Sequence, residues 1–193
     1  MLENLSLKET VLTVATLNLI YFAYEFSIAR QINSVSLFAD SVDFLEDASV
    51  NILIFLAFGW SIKTRVKLGY LFSGLLLIPG IAVLSVAWEK FQNPVTPESL
   101  TLGLTGFGAL IVNGFCAYLL VRFKKSKESL TKAAYLSARN DAFANMAIIF
   151  ASVISLFWAS GWPDLIVGIG ILLLNLDSAK EVLEASRRER ALT

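Results

Sequence analysis

The second long apolar stretch of the chain also carries several acidic residues, and this combination decides the fold. The stretch begins at Ser34, ends at Trp60 and reads SVSLFADSVDFLEDASVNILIFLAFGW. It is long enough for one helix to cross a bilayer core of about 30 Å. Ionisable side chains inside such a helix are costly and are usually functional. The stretch therefore predicts a membrane helix that carries a charged site, with acids at Asp40, Asp43, Glu46 and Asp47.

Five further apolar stretches lie on either side of this one. The chain has 193 residues, of which 56% are hydrophobic and 17% charged, which is more apolar and less charged than an ordinary soluble domain. We expect an all-α membrane protein with six transmembrane helices, and one transmembrane domain over residues 1–193 with no C-terminal cytoplasmic domain. The first stretch lacks the features of a cleaved signal. The predicted spans are about residues 10–29, 34–60, 68–88, 101–121, 133–158 and 162–178.

The basic residues predict how the chain is oriented in the membrane. Thirteen of the 16 lysines and arginines lie before the first span, between spans two and three, between spans four and five, or after the last span. Arg30 and Lys90 lie on the opposite side, and Arg139 lies inside the fifth span. Short cytoplasmic loops are enriched in basic residues. Both termini are therefore expected in the cytoplasm, and we expect a multi-pass protein of a bacterial inner membrane.

The composition also excludes several classes of function. The net charge is zero, which argues against a nucleic-acid binder. A single cysteine, Cys116, excludes a disulfide within the chain, and the absence of histidine excludes a catalytic triad and a histidine-rich metal site. There is no nucleotide-binding glycine motif. We therefore expect neither an enzyme nor a bound cofactor.

Three acids of the second span lie on one face of its helix, and the fifth span carries a polar stripe that is able to face them. At about 100° per residue, Asp40, Asp43 and Asp47 lie within roughly 60° of one another. On the fifth span Asp141 has a polar residue one turn away on each side. Depths of about 14–20 Å for the acids of the second span and about 12–16 Å for Asp141 place both near mid-membrane. If the two helices are neighbours, Asp43, Asp47 and Asp141 form a carboxylate cluster that must hold protons or a divalent cation.

Two roles are open for each of the other polar residues of the spans. Glu25 and Asp40 either line an outer access path or are simply hydrated at the membrane rim. Asn18 and Asn113 either line the same cavity or form hydrogen bonds between helices. Cys116 is expected to be a packing residue, although a soft metal would be able to recruit it. Asp164 and Asp177 are expected to be helix caps or ion-pair partners.

These residues resemble the transmembrane domain of the cation diffusion facilitator family, and the resemblance covers nearly the whole chain. The pattern of the fifth span in that family is [His/Asp]-x-x-x-Asp, where this chain has Ser137-x-x-x-Asp141. The other matching motifs are Asn18-x6-Glu25, the approach Asn33-Ser34-Val-Ser-Leu-Phe-Ala-Asp40, Asp43-x-x-x-Asp47, and Trp162-Pro163-Asp164-Leu-Ile-Val-Gly.

The resemblance implies a divalent cation/proton antiporter that exports metal from the cytoplasm and works as a homodimer. The expected cargo is Zn²⁺ or a related ion, with Co²⁺, Cd²⁺, Mn²⁺ and Fe²⁺ left open by the all-oxygen ligands. The expected partners are the metal ion, protons and lipid. The expected metal ligands are Asp43, Asp47 and Asp141, with water, Ser137 or Asn145 in a fourth position and with Asp40 and Glu25 as further accessory residues.

The competing hypothesis is a membrane protein that does not transport. In that case the same fold serves as a scaffold or partner subunit, and Ser137 in the place of the usual ligand favours this reading. A channel is less favoured, because a packed group of carboxylates would hold a divalent ion tightly and release it slowly.

Overall fold

The computed structural model describes residues 5–59, 61, 64, 67, 71, 81–123 and 129–174, and within them the chain is helical without a strand. The starts and ends of the first, second, fourth and fifth helices fall within a few residues of the predicted spans, whereas most of the first part of the third predicted span lies outside the described residues. Pro79-Gly80, where the sequence indicates a kink in the third span, and Asp177, expected as a helix cap or an ion-pair partner, lie outside the described residues. The helices are α1 (Leu7–Ile32), α2 (Val35–Ala57), α3 (residues 81–92), α4 (Ser99–Leu120, continued by a short 3-10 turn), α5 (Ser129–Phe157) and α6 (Trp162–Leu174).

The turn between α1 and α2 is short because two adjacent residues end one helix and begin the next. Asn33 adopts a left-handed conformation with φ 51°, and its N–H donates to the Ala29 carbonyl. This conformation suits asparagine at a helix C-terminus. Ser34 follows as the N-cap of α2, and its side chain accepts from the Leu37 N–H. The two helices therefore pack side by side in antiparallel directions. Polar residues at similar distances from the turn thus lie at similar depths in the two helices.

Four helices form the body of the fold. α1 packs against α2 and α4, and α5 packs against α4 and α2, so α1, α2, α5 and α4 close into a ring. Small residues allow the close approach of α4 and α5, as is common between membrane helices. A Cβ atom on Gly106 would lie 2.9 Å from Cγ2 of Ile148 on α5.

Two apolar clusters fill the ring and leave a polar layer between them. One cluster joins the start of α2 to α3 and α6 through residues such as Leu37, Val83 and Leu165. The other joins the start of α1 to the end of α4 and includes Val14 and Cys116, which confirms the packing role expected for Cys116. The buried polar residues that lie between the clusters are Asn18, Glu25, Asp40, Asp43, Asp47, Asn113 and Asn145.

The outer surface of the helices is apolar. Large side chains such as Phe150, Leu156 and Leu104 are exposed by 66%, 67% and 63%, which suits a surface that faces lipid. Within the described part of the chain, three helices are long and apolar enough to cross a membrane: Leu7–Ile32, Ser99–Phe123 and Ser137–Phe157. This indicates an integral membrane protein. α2 is of similar length, but its four acids lower its apolar content.

Candidate metal and proton site

Ser137 joins an acid of α2 to an acid of α5. Asp47 on α2 is 3% exposed, and its side chain is hydrogen-bonded to Ser137. Asp141 lies one turn beyond Ser137 on α5 and is hydrogen-bonded to the same side chain. The expectation that the two polar stripes face each other is therefore confirmed for Asp47, Ser137 and Asp141.

Asp43 lies one turn before Asp47 on the same face of α2 and is 7% exposed. Among the neighbouring charges, Asp141 acts most strongly on Asp43, and Asp47 acts most strongly on Asp141. The three predicted ligands are thus electrostatic neighbours across the α2–α5 interface. In the described residues, however, no three His, Cys, Asp or Glu side chains are arranged so that they already form a metal site.

A second polar group crosses all four helices of the ring. Asn113 on α4 donates from Nδ2 to Oδ1 of Asn145 on α5, at 3.0 Å. Asn145 in turn donates from Nδ2 to Oδ2 of Asp40 on α2, at 2.5 Å. The Asp40 carboxyl also lies next to the Glu25 carboxyl on α1. We call Asn113, Asn145, Asp40 and Glu25 the amide–carboxyl chain.

The acidic end of the amide–carboxyl chain is completely buried. Glu25 and Asp40 are both 0% exposed, so the reading of these acids as hydrated at the rim is wrong. Apart from the contact between the two carboxyl groups, neither Glu25 oxygen nor Oδ1 of Asp40 has a hydrogen-bond donor among the described residues. Buried carboxyl oxygens normally have partners, so this pair needs a physical explanation.

The remaining polar residues of the layer act between helices or within one. Cys116 on α4 contacts Oδ1 of Asn18 on α1 at 3.6 Å, and Asn113 bonds to Asn145. The interhelical role expected for Asn18 and Asn113 is confirmed. Asn51 donates to the backbone carbonyl of Asp47 at 2.8 Å.

A buried ion pair holds together the start of α2, the end of α3 and the start of α6. Nζ of Lys90 lies 2.7 Å from Oδ2 of Asp164 and 2.6 Å from the Asn33 carbonyl. Asp164 is thus an ion-pair partner and a cap, as expected, but it caps α2 rather than its own helix. Its oxygens accept from Oγ of Ser34 at 2.6 Å, from the Val35 N–H at 2.8 Å, and from the N–H and Oγ of Ser36 at 3.1 and 2.5 Å.

Two of these arrangements were not predicted from the sequence. Lys90 entered the sequence argument only as a positive charge near the membrane surface, and its partner lies on a helix far along the chain. Asn145 was expected near Asp141 as a metal ligand, whereas its side chain amide bonds to Asp40 and Asn113. A signal was present in both cases, because a lysine near the end of a span and an amide in the middle of one each need a partner from another helix when they are buried.

Comparison with known proteins agrees with these features. The model of the cation efflux transmembrane domain matches residues 11–189. The chain is also similar to the cadmium, cobalt and zinc/H(+)-K(+) antiporter of Bacillus subtilis (strain 168), with 25% identity over 172 residues that cover 80% of this chain and 54% of the relative. The chain thus spans about half the length of that relative. The match over most of its residues shows that the chain belongs to the cation efflux, or cation diffusion facilitator, family.

Proposed function

We propose that the protein exchanges divalent metal cations for protons across the membrane and exports the metal from the cytoplasm. The carrying observation is the hydrogen-bonded contact of Asp47 and Asp141 with Ser137 across the α2–α5 interface. Carboxylates buried side by side in a medium of low dielectric must bind protons or a cation. Cations and protons therefore compete for them, which is the chemistry of an antiporter.

The proposed ligands are Asp43, Asp47 and Asp141, with Ser137 or water completing the shell. Oxygen atoms suit Mn²⁺, Zn²⁺ and related ions, at about 2.0–2.2 Å for zinc. Because the three acids do not form a finished site in the described residues, we propose that the cation itself draws them together. A binding site that assembles around its cargo also has a way to open and release it.

The transport path follows from the predicted topology. We propose six crossings with both termini in the cytoplasm, in a bacterial inner membrane, with the cation bound near mid-membrane. Rocking of the helices then exposes the site first to the cytoplasm and later to the outside, as in other secondary transporters. The cargo is proposed to be Zn²⁺, Cd²⁺ or Co²⁺, the ions in the name of the Bacillus relative. The resemblance to the family also supports a homodimer.

Uptake into everted vesicles tests this proposal. With an acidic interior, vesicles that contain the protein should accumulate Cd²⁺ or Zn²⁺ until a protonophore dissipates the gradient. Asp47→Ala should reduce uptake to that of vesicles without the protein. Glu98→Gln is a suitable control, because Glu98 is an exposed cap at the start of α4. Equal flux in the wild type and Asp47→Ala would overturn the proposal.

The second candidate function is a scaffold that does not transport. It is favoured by the lack of a preformed group of three ligands in the described part of the chain. Calorimetry with the purified protein separates the two candidates. Binding of a divalent cation that Asp141→Ala abolishes excludes the scaffold, whereas no binding by the wild type excludes the antiporter. A panel of metals in the same experiment identifies the preferred cargo.

A further inference from the structure

We propose that Asp164 and Lys90 close the outer mouth of the cation path, and that the path opens when the start of α2 moves away from this pair. The role in transport rests on the proposed function above. In the proposed topology the turn between α1 and α2 lies on the outer side of the membrane, so these contacts face the side to which the metal is released. We call Ser34, Ser36, Lys90 and Asp164 the outer latch.

A polar stripe on α2 leads from the proposed metal ligands to the outer latch. Its members recur every three or four residues and therefore share one face of the helix: Ser36, Asp40, Asp43 and Asp47. All of them are buried. At the outer end of the stripe, the hydroxyl of Ser36 donates to Oδ1 of Asp164 at 2.5 Å. A cation that leaves the metal layer along this stripe therefore meets the outer latch last.

The stripe is closed at its outer end but not at the metal layer. Every side chain of the outer latch is buried, and the exposed fractions of Lys90 and Asp164 are 1% and 0%. An apolar cluster joins the start of α2 to α3 and α6 at the same end. Ser137 and Asp141, by contrast, are partly exposed. Release to the outside therefore requires that the contacts of the outer latch separate.

The outer latch has a part that stays together and a part that opens. Lys90 on α3 and Asp164 on α6 carry opposite charges, and separating a buried ion pair is costly. The donors that α2 offers to Asp164 are two hydroxyl groups and two backbone N–H groups, all uncharged. Water replaces Asp164 as their partner at little net cost. We therefore expect α2 to leave with hydrated donors, while Lys90 and Asp164 remain paired.

The packing at this end also favours movement of the α1–α2 turn. The connections α3–α4 and α5–α6 are joined by the Gly161 N–H, which donates to the Pro94 carbonyl at 2.8 Å. A Cβ on Gly161 would lie 2.7 Å from the Pro94 backbone, so these two connections pack closely. Between α2 and α6 the contact is made by Gly168, which has no side chain to interlock with its neighbour. The α1–α2 turn is thus the part that is able to move away.

The reactivity of the Lys90 amine measures whether the outer latch is open. Lys90 is the one lysine that the proposed topology places outside. A membrane-impermeant acetylating reagent, added to sealed right-side-out vesicles, therefore reaches no other lysine, and mass spectrometry gives the rate. In the wild type without metal, Lys90 should react far more slowly than in protein unfolded in dodecyl sulfate, because it is buried. Equal rates would show an outer end that is open at rest and would overturn the proposal.

Metal export should open the outer latch. The vesicles are compared at one external pH, with and without Cd²⁺ inside, so that the reactivity of the amine itself is constant. Acetylation of Lys90 should become faster while Cd²⁺ leaves the vesicles. A rate that stays at its resting value during measured export would overturn the outer latch and leave the transport function standing. If no metal leaves, the transport function fails, whereas the resting rates of the wild type and the variants still decide whether the latch closes the outer end.

Removal of two hydroxyl groups should loosen the outer latch without touching the ion pair. The double variant Ser34→Ala/Ser36→Ala loses two hydrogen bonds to the carboxylate of the latch. It should raise the resting rate of Lys90 acetylation about tenfold. Ser41→Ala is the matched control, since Ser41 is a buried serine of α2 that bonds within its own helix. An unchanged rate in the double variant, or an equal rise in Ser41→Ala, would contradict the proposal.

The buried thiol of Cys116 distinguishes local opening from unfolding. Cys116 is 0% exposed and belongs to the other apolar cluster. A membrane-permeant maleimide should leave it unmodified in the double variant while Lys90 is acetylated. Modification of both groups at similar rates would mean general unfolding and would overturn the role of the two serines. Should the double variant fail to fold, Ser36→Ala alone should give a smaller rise in the Lys90 rate, and an unchanged rate would again overturn the proposal.

Discussion

The ammonium group of Lys90 and the carboxylate of Asp164 lie 2.7 Å apart, and their side chains are 1% and 0% exposed. The same carboxylate accepts from Ser34, Val35 and Ser36 at the start of α2. An anion at a helix N-terminus is favoured by the unpaired N–H groups and by the helix dipole. One carboxylate therefore binds the ammonium group of α3 and caps the start of α2, and it holds α2, α3 and α6 together where α1 turns into α2.

Replacement of Asp164 should be the most damaging change to this group. Asp164→Ala leaves Lys90 buried without a counter-ion and α2 without its cap from α6. We expect a loss of about 3–5 kcal/mol in the free energy of unfolding, as for other buried pairs that lose one partner. Denaturant unfolding in detergent measures this loss.

Lys90→Met is the matched comparison for that variant. Asp164 then keeps its donors from α2, and the methionine side chain fills much of the space of the lysine stem. The loss should be clearly smaller than for Asp164→Ala. Equal losses in the two variants would show that the ion pair, and not the capping of α2, accounts for the contribution of Asp164 to the free energy of unfolding.

The close contact of α6 with the start of α2 predicts a strong difference between two glycines of the same helix. A Cβ on Gly168 would lie 2.7 Å from the backbone carbon of Val35, whereas a Cβ on Gly170 meets nothing within 4 Å. Gly168→Ala should therefore destabilise the protein by about 1–3 kcal/mol. Gly170→Ala should be neutral or stabilising by up to about 1 kcal/mol, because alanine favours helix. Thermal unfolding of both variants decides the point, and equal destabilisation would contradict the packing.

Much of this fold is predictable because each rule involved is local. Helix length follows from runs of apolar residues, and the shared face of Asp43 and Asp47 follows from the helical period. The facing of Asp47 and Asp141 also follows, since two polar stripes at similar depth avoid lipid by facing each other. The family pattern in the first, second and fifth spans points to the same helices.

The pairing of individual side chains is not predictable in this way. Asp40, Asp43 and Asp47 share one face of α2, yet Asp40 bonds to Asn145 and Asp47 bonds to Ser137. The choice depends on the rotation of α5 against α2 and on shifts of a few ångströms along the helices. The periodicity of one helix contains neither quantity. The same holds for Lys90, whose partner Asp164 is set by how α3 and α6 meet around α2.

The cap of α4 predicts a pH dependence with a definite sign. Hydrogen bonds from Thr101 hold the pKa of Glu98 below its usual value of 4.5. Because the folded state binds this proton less readily than the unfolded state, the cap stabilises the fold above the usual pKa and is lost as the pH falls through the lower folded value. The melting temperature of the wild type should exceed that of Glu98→Gln at neutral pH, and the difference should vanish in acid. A difference that grows toward acid would contradict this sign.

Asn145 should matter for stability because two other buried groups depend on its amide. Asn145→Leu removes the donor to Asp40 and the acceptor for Asn113. Each buried polar group that loses its partner costs about 1–3 kcal/mol, so we expect a loss of that order or somewhat more in unfolding experiments. Asn113→Leu removes only the donor to Asn145 and should cost less. The reverse order would mean that Asp40 does not depend on Asn145.

Ser137 offers the sharpest test of the proposed metal site, because it already contacts Asp47 and Asp141 but provides only a weak neutral ligand. Ser137→Asp places a carboxylate between them and matches the [His/Asp]-x-x-x-Asp pattern of the family. We expect this variant to bind Zn²⁺ or Cd²⁺ about tenfold more tightly, a gain of about 1.4 kcal/mol, because a charged oxygen replaces a hydroxyl beside the cation. Ser137→Ala should bind more weakly than the wild type, since it removes the hydrogen bonds that orient both acids. Calorimetry at constant pH measures all three affinities. Tighter binding by Ser137→Ala than by Ser137→Asp would place the cation away from the α2–α5 interface.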